Sequence, residues 1–248
     1  MKGTIFNTSR VPLVSMAFCW LSSVGYGQAD STGLGSWNIA NARFQISRKW
    51  SAWGELQLRS LQFYNQFHYH ETKGGFQYNL GEASSVLVGF GRYVTYSPGG
   101  NFESPIKNDE LRTWLQFSMG NRFGRLRVEH RYRIEQRWTS EGYRNRFRYR
   151  LNLLMPLNKP NVEAGTWYAT TWNEIFLTNL QPHFERNRFF IGLGYEVTDP
   201  FTIQVGFLNQ YDYELAIAPL TKNFFQLSFL FDIKTQKSGR ERHPSTVD

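Results

Sequence analysis

Residues 126–154 read LRVEHRYRIEQRWTSEGYRNRFRYRLNLL, and the order of charged and apolar residues in this stretch decides the fold class. Up to Arg137 the charges take odd positions (Arg127, Glu129, Arg131, Arg133, Glu135, Arg137), while Leu126, Val128, His130, Tyr132 and Ile134 take even ones. Beyond a polar break at Trp138–Gly142 the parity reverses. Arg144, Arg146, Arg148, Arg150 and Asn152 are even, and Tyr143, Asn145, Phe147, Tyr149, Leu151 and Leu153 are odd. Successive side chains of a strand point to opposite faces, so each run is a strand with one charged and one apolar face; a helix would spread the arginines around its whole circumference. The break is short enough for an antiparallel hairpin. Only registers in which paired residue numbers sum to an odd value bring both charged sets together, placing eight arginines and two glutamates on one face.

A soluble sheet facing water would carry such a face, but the remaining strands repeat the pattern with little sign of a second layer to cover their apolar sides. That favours a closed barrel with lipid outside and polar groups within. The modest hydrophobic content of 41% and mean hydropathy of −0.48 fit, because half of each barrel strand faces a polar interior. The aromatic content of 17% suits outward faces and interfacial girdles.

The N-terminus carries the parts of a secretory signal. Lys2 and Arg10 precede an apolar stretch from Val11 to Val24, and small residues follow around Gly25–Ala29. Residues 1–27 are expected to be a signal peptide, 28–233 a barrel, and the basic segment 234–248 a disordered periplasmic tail. Cys19 lies inside the apolar stretch, so a cleaved chain has no cysteine for disulfides or thiolate chemistry. Without Lys2 and Arg10, 26 basic residues stand against 20 acidic ones, a net of +6. Nucleic acid ranks last among partners, because the arginines alternate along strands instead of clustering.

In chain order, strands are expected at Trp37–Ser47, through Glu55–Arg59, at Phe67–Leu80 with a bulge at Gly74–Gly75, and at Ser85–Tyr96. In the last of these, inward Gly89 and Gly91 leave room for large neighbours. Glu110–Met119 precedes the hairpin. Thr166–Phe176, strands through Phe189–Tyr195 and Phe201–Phe207, and Asn223–Asp232 follow it, with Asn209–Thr221 read as a loop. Eleven strands are countable. Bacterial single-chain barrels carry even numbers, so an antiparallel transmembrane barrel of twelve strands is expected, ten being next, with short periplasmic turns near 49, 82, 122, 161 and 198 and longer extracellular loops opposite.

At the hairpin, and at Asn173-Glu174-Ile175-Phe176, the chain resembles the outer-membrane barrels grouped as domain of unknown function 2490. The matching features are Trp37 soon after the signal, the pattern Arg-x-Arg-x-Glu-x-Arg-x-Arg over Arg125–Arg133, the run Arg144–Arg150 leading to Leu151 and Pro156, and the late Glu174. The likeness covers nearly the whole chain beyond the signal and implies location and fold. It brings no reaction with it.

A network of inward charges is the candidate site: Arg43, Glu55, Arg59, Arg112, Glu129, Arg131, Arg133, Glu135, Arg144, Arg146, Arg148, Arg150 and Glu174. Arginine exceeds carboxylate, so the lumen is expected to be filled mainly by salt bridges, with water or anions meeting the remaining guanidinium groups. His68 and His70 are read on one strand face with Glu71 on the other, and His183 lies near Glu185, but neither pair completes a metal site. His130 has outward parity and no serine evidently paired with it, which counts against a hydrolase in the barrel wall. No cofactor is implied. The partners expected are outer-membrane lipid, the barrel-assembly machinery and small anions. A structural or accessory barrel is the first expectation, a small anion-selective pore the second, and a membrane-embedded lipid hydrolase the third.

Overall fold

The computed structural model describes residues 33–213 and 220–234. The expected signal peptide, and the expected tail beyond Lys234, lie outside the described residues. Eleven strands follow one another: β1 (Gly35–Gln45), β2 (Trp50–Gln62), β3 (Asn65–Asn79), β4 (Ser84–Tyr96), β5 (Ile106–Phe123), β6 (Leu126–Thr139), β7 (Gly142–Pro156), β8 (Trp167–Thr178), β9 (Phe184–Thr198), β10 (Phe201–Asp212) and β11 (Leu220–Lys234). Each pairs antiparallel with its sequence neighbour, and β1 pairs parallel with β11, so the sheet closes on itself. The alternating patterns therefore give eleven strands in the described residues, not twelve. Strand direction reverses at every turn, so an odd number brings the first and last strands to the seam pointing the same way. The parallel pairing follows from the count.

The β6–β7 register runs from Arg127 opposite Leu154 to Thr139 opposite Gly142, and every pair has an odd residue sum. Arg131, Arg133, Arg146, Arg148 and Arg150 are buried inside, whereas Ile134, Phe147 and Tyr132 lie on the outer wall. Outward exposure recurs at Phe44, Leu56, Phe76, Val88, Phe90, Leu115 and Ile191.

Three expectations change. No bulge forms at Gly74–Gly75, which pair in regular register with Gly54 and Trp53; the shift lies between Arg59 and Ser60, opposite Tyr69 and Phe67, with His68 as the extra residue. Loop lengths do not separate the two ends. The upper end carries the two-residue turns 63–64 and 140–141 beside the longer 97–105, while the lower end, expected to hold only short turns, carries 157–166. Finally, the interior is not wholly polar. Trp37, Ile39, Trp172, Phe190, Leu208 and Phe224 form one inner cluster, and Trp53, Leu87, Tyr93 and Trp114 another. Inward glycines make the space these rings need: a Cβ on Gly89 would meet Trp114 at 2.3 Å, and one on Gly194 would meet Tyr168 at 2.0 Å.

The 157–166 loop folds into the lower mouth. Val162 packs beside Leu154 and Tyr168, and Arg125 holds the strand-to-loop junction by donating to the carbonyls of Pro156 (2.7 Å), Leu157 (2.8 Å) and Lys159 (2.8 Å).

Candidate functional site

The hairpin places like charges directly opposite each other, with Arg131 facing Arg150 and Arg133 facing Arg148. Such pairs repel unless carboxylates come between them. Two do. Glu174 on β8 accepts from Arg131 at 2.6 Å, from both ends of the Arg148 guanidinium at 3.0 Å, and from Arg150 at 2.8 Å. Glu135 on β6 accepts from Arg146 at 2.7 Å and Arg148 at 2.8 Å, with Arg133 at 3.4 Å. Arg148 thus ties both carboxylates together, and Arg133, Glu135 and Glu174 are all 0% exposed.

Toward the upper end the network continues from Arg112 and Arg146 through Glu110, Arg137 and Glu185, which lie outside the expected set. Glu110 binds both Arg112 and Arg137. Glu185 binds Arg137 at 3.1 Å and Arg146 at 2.9 Å, which links this layer to the one below. On the far wall Lys73 lies 2.7 Å from Glu55 and 2.5 Å from Glu71, and Arg59 lies 3.1 Å from Glu71. Asp212 holds Arg186 and, at 3.2 Å, Lys222.

Aromatic rings fill the space between the charges. The Arg59 guanidinium lies 3.4 Å from the Trp37 ring centroid, Arg112 3.7 Å from Tyr93, Arg150 4.0 Å from Trp172 and Arg148 4.5 Å from Phe176. A guanidinium over a ring face is stabilised by the ring quadrupole, most strongly where water is excluded. Those inward aromatic residues serve as partners to the charges as well as apolar filling.

Of the thirteen expected residues, Arg131, Arg133, Glu135, Arg146, Arg148, Arg150 and Glu174 join one network, and Arg112 enters it through Glu110, Arg137 and Glu185. The others lie elsewhere. Arg43 pairs with Asp232 at the seam, and Glu55 and Arg59 belong to the Lys73–Glu71 cluster. Glu129 is half-buried near the lower end, and Arg144 is at the upper rim beside Glu141 at 3.4 Å. Glu71 faces inward, on the other face from His70 as its parity requires, and it is His68 that departs from the expected shared face, because the register shift there turns it to the cavity side. Arg186 and Arg188 alternate with outward Phe189 and Ile191 and were legible by parity. Asp212 lies within Asn209–Thr221, expected as a loop, and Lys222 lies between that loop and the expected last strand, whereas both are in strands, β10 and β11.

At the upper end the lumen opens into a cavity of about 210 Å³. Its lining includes Arg59, Arg112, Arg137, Arg146, Arg148, Arg186, Arg188 and Lys222, against the carboxylates Glu71, Glu110 and Glu185. His68 also lines it, whereas His70 lies beside the rings of Tyr96 and Phe102, so the two histidines do not act together. Among the described residues no group of three or more His, Cys, Asp or Glu is placed to hold a metal ion. His130 Nδ1 is 2.9 Å from the Tyr149 hydroxyl and its ring stacks on Tyr149.

An uncharacterized protein of Methylorubrum extorquens is 38% identical over 135 residues, which are 52% of this chain and 58% of that relative. The chain thus spans somewhat more than half of the relative's length. No solved structure matches the chain. A family profile covers residues 34–218, almost the whole described barrel, and the chain belongs to that family, described as protein of unknown function (DUF2490).

Proposed function

We propose that the chain is an integral outer-membrane barrel, exported behind a cleaved signal at residues 1–27, with a structural or accessory role and no catalytic activity. The observation that carries this reading is the outer wall. Apolar side chains such as Val88, at 60% exposed, and Phe90, at 58%, are presented around a closed sheet whose charges are inside. A contiguous exposed apolar surface of this kind is foreign to a water-soluble monomer and suits lipid. Aromatic pairs stand at both edges of the belt: Trp50 with Tyr78 and Trp167 with Tyr195 below, Trp138 with Tyr143 above. Polar pairs near the upper strand ends, Arg92 with Asp109 at 2.6 Å and Asn209 with Asn223 at 2.8 Å, limit the belt on that side. Strands of 11 residues (β1) to 18 residues (β5) exceed the ~9–11 a tilted strand needs to span.

The filled lumen favours an accessory barrel over a pore. A continuous water column would leave the inward side chains accessible, yet those of the middle layer are buried, and Val162 occupies the lower mouth. The anion-selective pore is the second reading, favoured by the excess of cations around the upper cavity. Fractionation of cells expressing the full chain, followed by recordings of the purified protein in planar bilayers, tests both. Expected are recovery from the outer membrane only with detergent, and no steady conductance. Recovery from the soluble fraction removes the membrane reading, and a steady anion-selective current replaces the accessory barrel with the pore.

A further inference from the structure

On the outer wall His130 of β6 and Tyr149 of β7 are hydrogen-bonded, with the imidazole Nδ1 2.9 Å from the phenol oxygen. Proton counting gives the consequence. A neutral imidazole and a phenol have one proton each to donate. The bond between them uses one, whichever side donates it, so one N–H or O–H is left over; protonation of the ring would add another. Among the described residues neither side chain makes a further hydrogen bond. Aromatic contacts hold both rings in place: His130 stacks on Tyr149 at 6.1 Å between centroids, and Tyr149 lies 5.1 Å from Tyr132. The level of the pair on the wall is set by its neighbours. In the row below, exposed Asn121 is opposite Val128, whereas two rows above His130 the opposed Leu115 and Ile134 are 55% and 57% exposed. His130, opposite Met119, therefore stands where the wall turns from polar to apolar near the lower end. A donor without an acceptor is strongly unfavourable against hydrocarbon, so the pair calls for an acceptor from outside the chain.

We propose that the His130–Tyr149 pair is a binding site for a membrane phospholipid, which accepts the spare hydrogen bond through an ester carbonyl of its glycerol backbone. The proposal rests on the outer-membrane reading given above. An ester carbonyl is an acceptor only, so it complements a leftover donor without bringing a proton of its own. It also lies at the right depth, because glycerol esters occupy the boundary between headgroups and hydrocarbon, whereas the phosphate lies further out toward water. The row directly above His130 places the rings of Phe117, Tyr132 and Tyr149 side by side across three strands, with Phe117 and Tyr132 stacked at 6.5 Å. That row offers the first part of the acyl chain a flat apolar surface. The carbonyl fixes the lipid by one directed bond, and the rings receive its chain.

The test compares two lipids that differ only in this group. The purified barrel is placed in nanodiscs of dioleoyl phosphatidylcholine, or of its ether-linked analogue, which has the same headgroup and chain length but no ester carbonyl, and its thermal unfolding midpoint is read in each. Effects of the linkage on the bilayer as a whole act on every variant alike and cancel when variants are compared. Loss of one hydrogen bond is expected to lower the midpoint of the parent in the ether lipid by about 2–4 °C more than that of His130→Phe. His130→Gln, whose amide still donates, should keep part of the difference, and Phe90→Leu on β4 should keep all of it. A parent no more sensitive to the linkage than His130→Phe puts the acceptor at the phosphate or in water and overturns the proposal. So does a parent-like difference in His130→Phe. A barrel that does not enter either kind of disc removes the outer-membrane reading, and this proposal with it, whereas a barrel that enters both and unfolds without regard to His130 removes the lipid site alone.

Discussion

Arg43 and Asp232 stand directly opposite each other across the parallel β1–β11 seam and form a two-pronged ion pair, at 3.0 Å through Nε and 2.6 Å through the terminal nitrogen. They are 189 positions apart in the chain, so this contact forms only when the sheet closes. Nearer the upper end the Trp37 and Phe224 rings meet edge to face at 5.5 Å across the same seam.

Arg43 is partly exposed, which limits the worth of its ion pair, but the paired geometry is the strong kind. Arg43→Met is expected to lower unfolding stability in detergent by about 1 kcal/mol. A double-mutant cycle with Asp232→Leu should recover most of that as coupling energy. Zero coupling in urea titrations would mean that the seam is held by its backbone ladder and rings alone.

Glu174 is the deepest hub, and its removal is the sharpest test of the network. Glu174→Gln leaves Arg131, Arg148 and Arg150 around a neutral amide in a site without solvent, and breaking a buried ion pair by removing one partner costs about 3–5 kcal/mol. The expected result is a large fall in the urea midpoint, with Glu141→Gln at the exposed rim unchanged. A loss below about 1 kcal/mol would show that the arginines are compensated elsewhere.

The two faces of the hairpin differ in what they tolerate. Phe147 is 39% exposed on the outer wall and Arg148 is 1% exposed inside. Cysteine at 147 should react with a lipid-soluble thiol reagent in reconstituted vesicles, and cysteine at 148 should not. Arginine at Val88 should destabilise the inserted barrel by about 2–4 kcal/mol, the cost of a charge on the lipid face near mid-membrane. If Val88→Arg is neutral, the apolar belt does not face lipid.

Much of this was legible because a strand has a period of two. The alternation over 126–154 specifies both faces of the hairpin and the odd register sum, and alternation along the rest of the chain marks eleven strands; the expectation of twelve comes from the even-number rule for bacterial barrels. What was not legible depends on single irregularities and on contacts between distant strands. The extra residue at His68 turns that side chain to the cavity side, and no local pattern announces it. Trp114 and Trp172 share the parity of inward Arg112 and Glu174, so their inward placement is legible; the guanidinium groups of other strands that cover the rings of Trp37, Trp114 and Trp172 are not. Nothing in residues 157–166 shows that Val162 turns inward to pack with Leu154 and Tyr168.

On the accessory-barrel reading, ion flow along the axis would meet the charged layer at Arg133 and Arg148 and, at the lower end, the loop whose Val162 packs on Leu154 and Tyr168. Passage is governed by the narrower of two constrictions in series, so relieving either alone should leave the barrel silent. Arg133→Ala with Arg148→Ala removes two large, fully buried side chains at one level of the hairpin and opens the middle. Val162→Asp places an unpaired charge in an apolar cleft, where the desolvation penalty drives the loop out into water. In planar bilayers the double variant and the single variant are each expected to show no steady current, and the triple variant is expected to conduct. Its selectivity should favour anions, because Arg131, Arg146 and Arg150 remain beside Glu135 and Glu174 and the upper cavity keeps its predominantly basic lining. Conduction by Val162→Asp alone would show that the arginine layer already passes ions and that the loop is the gate. Silence of the triple variant would place a further block in the inner aromatic cluster around Trp53 and Trp114.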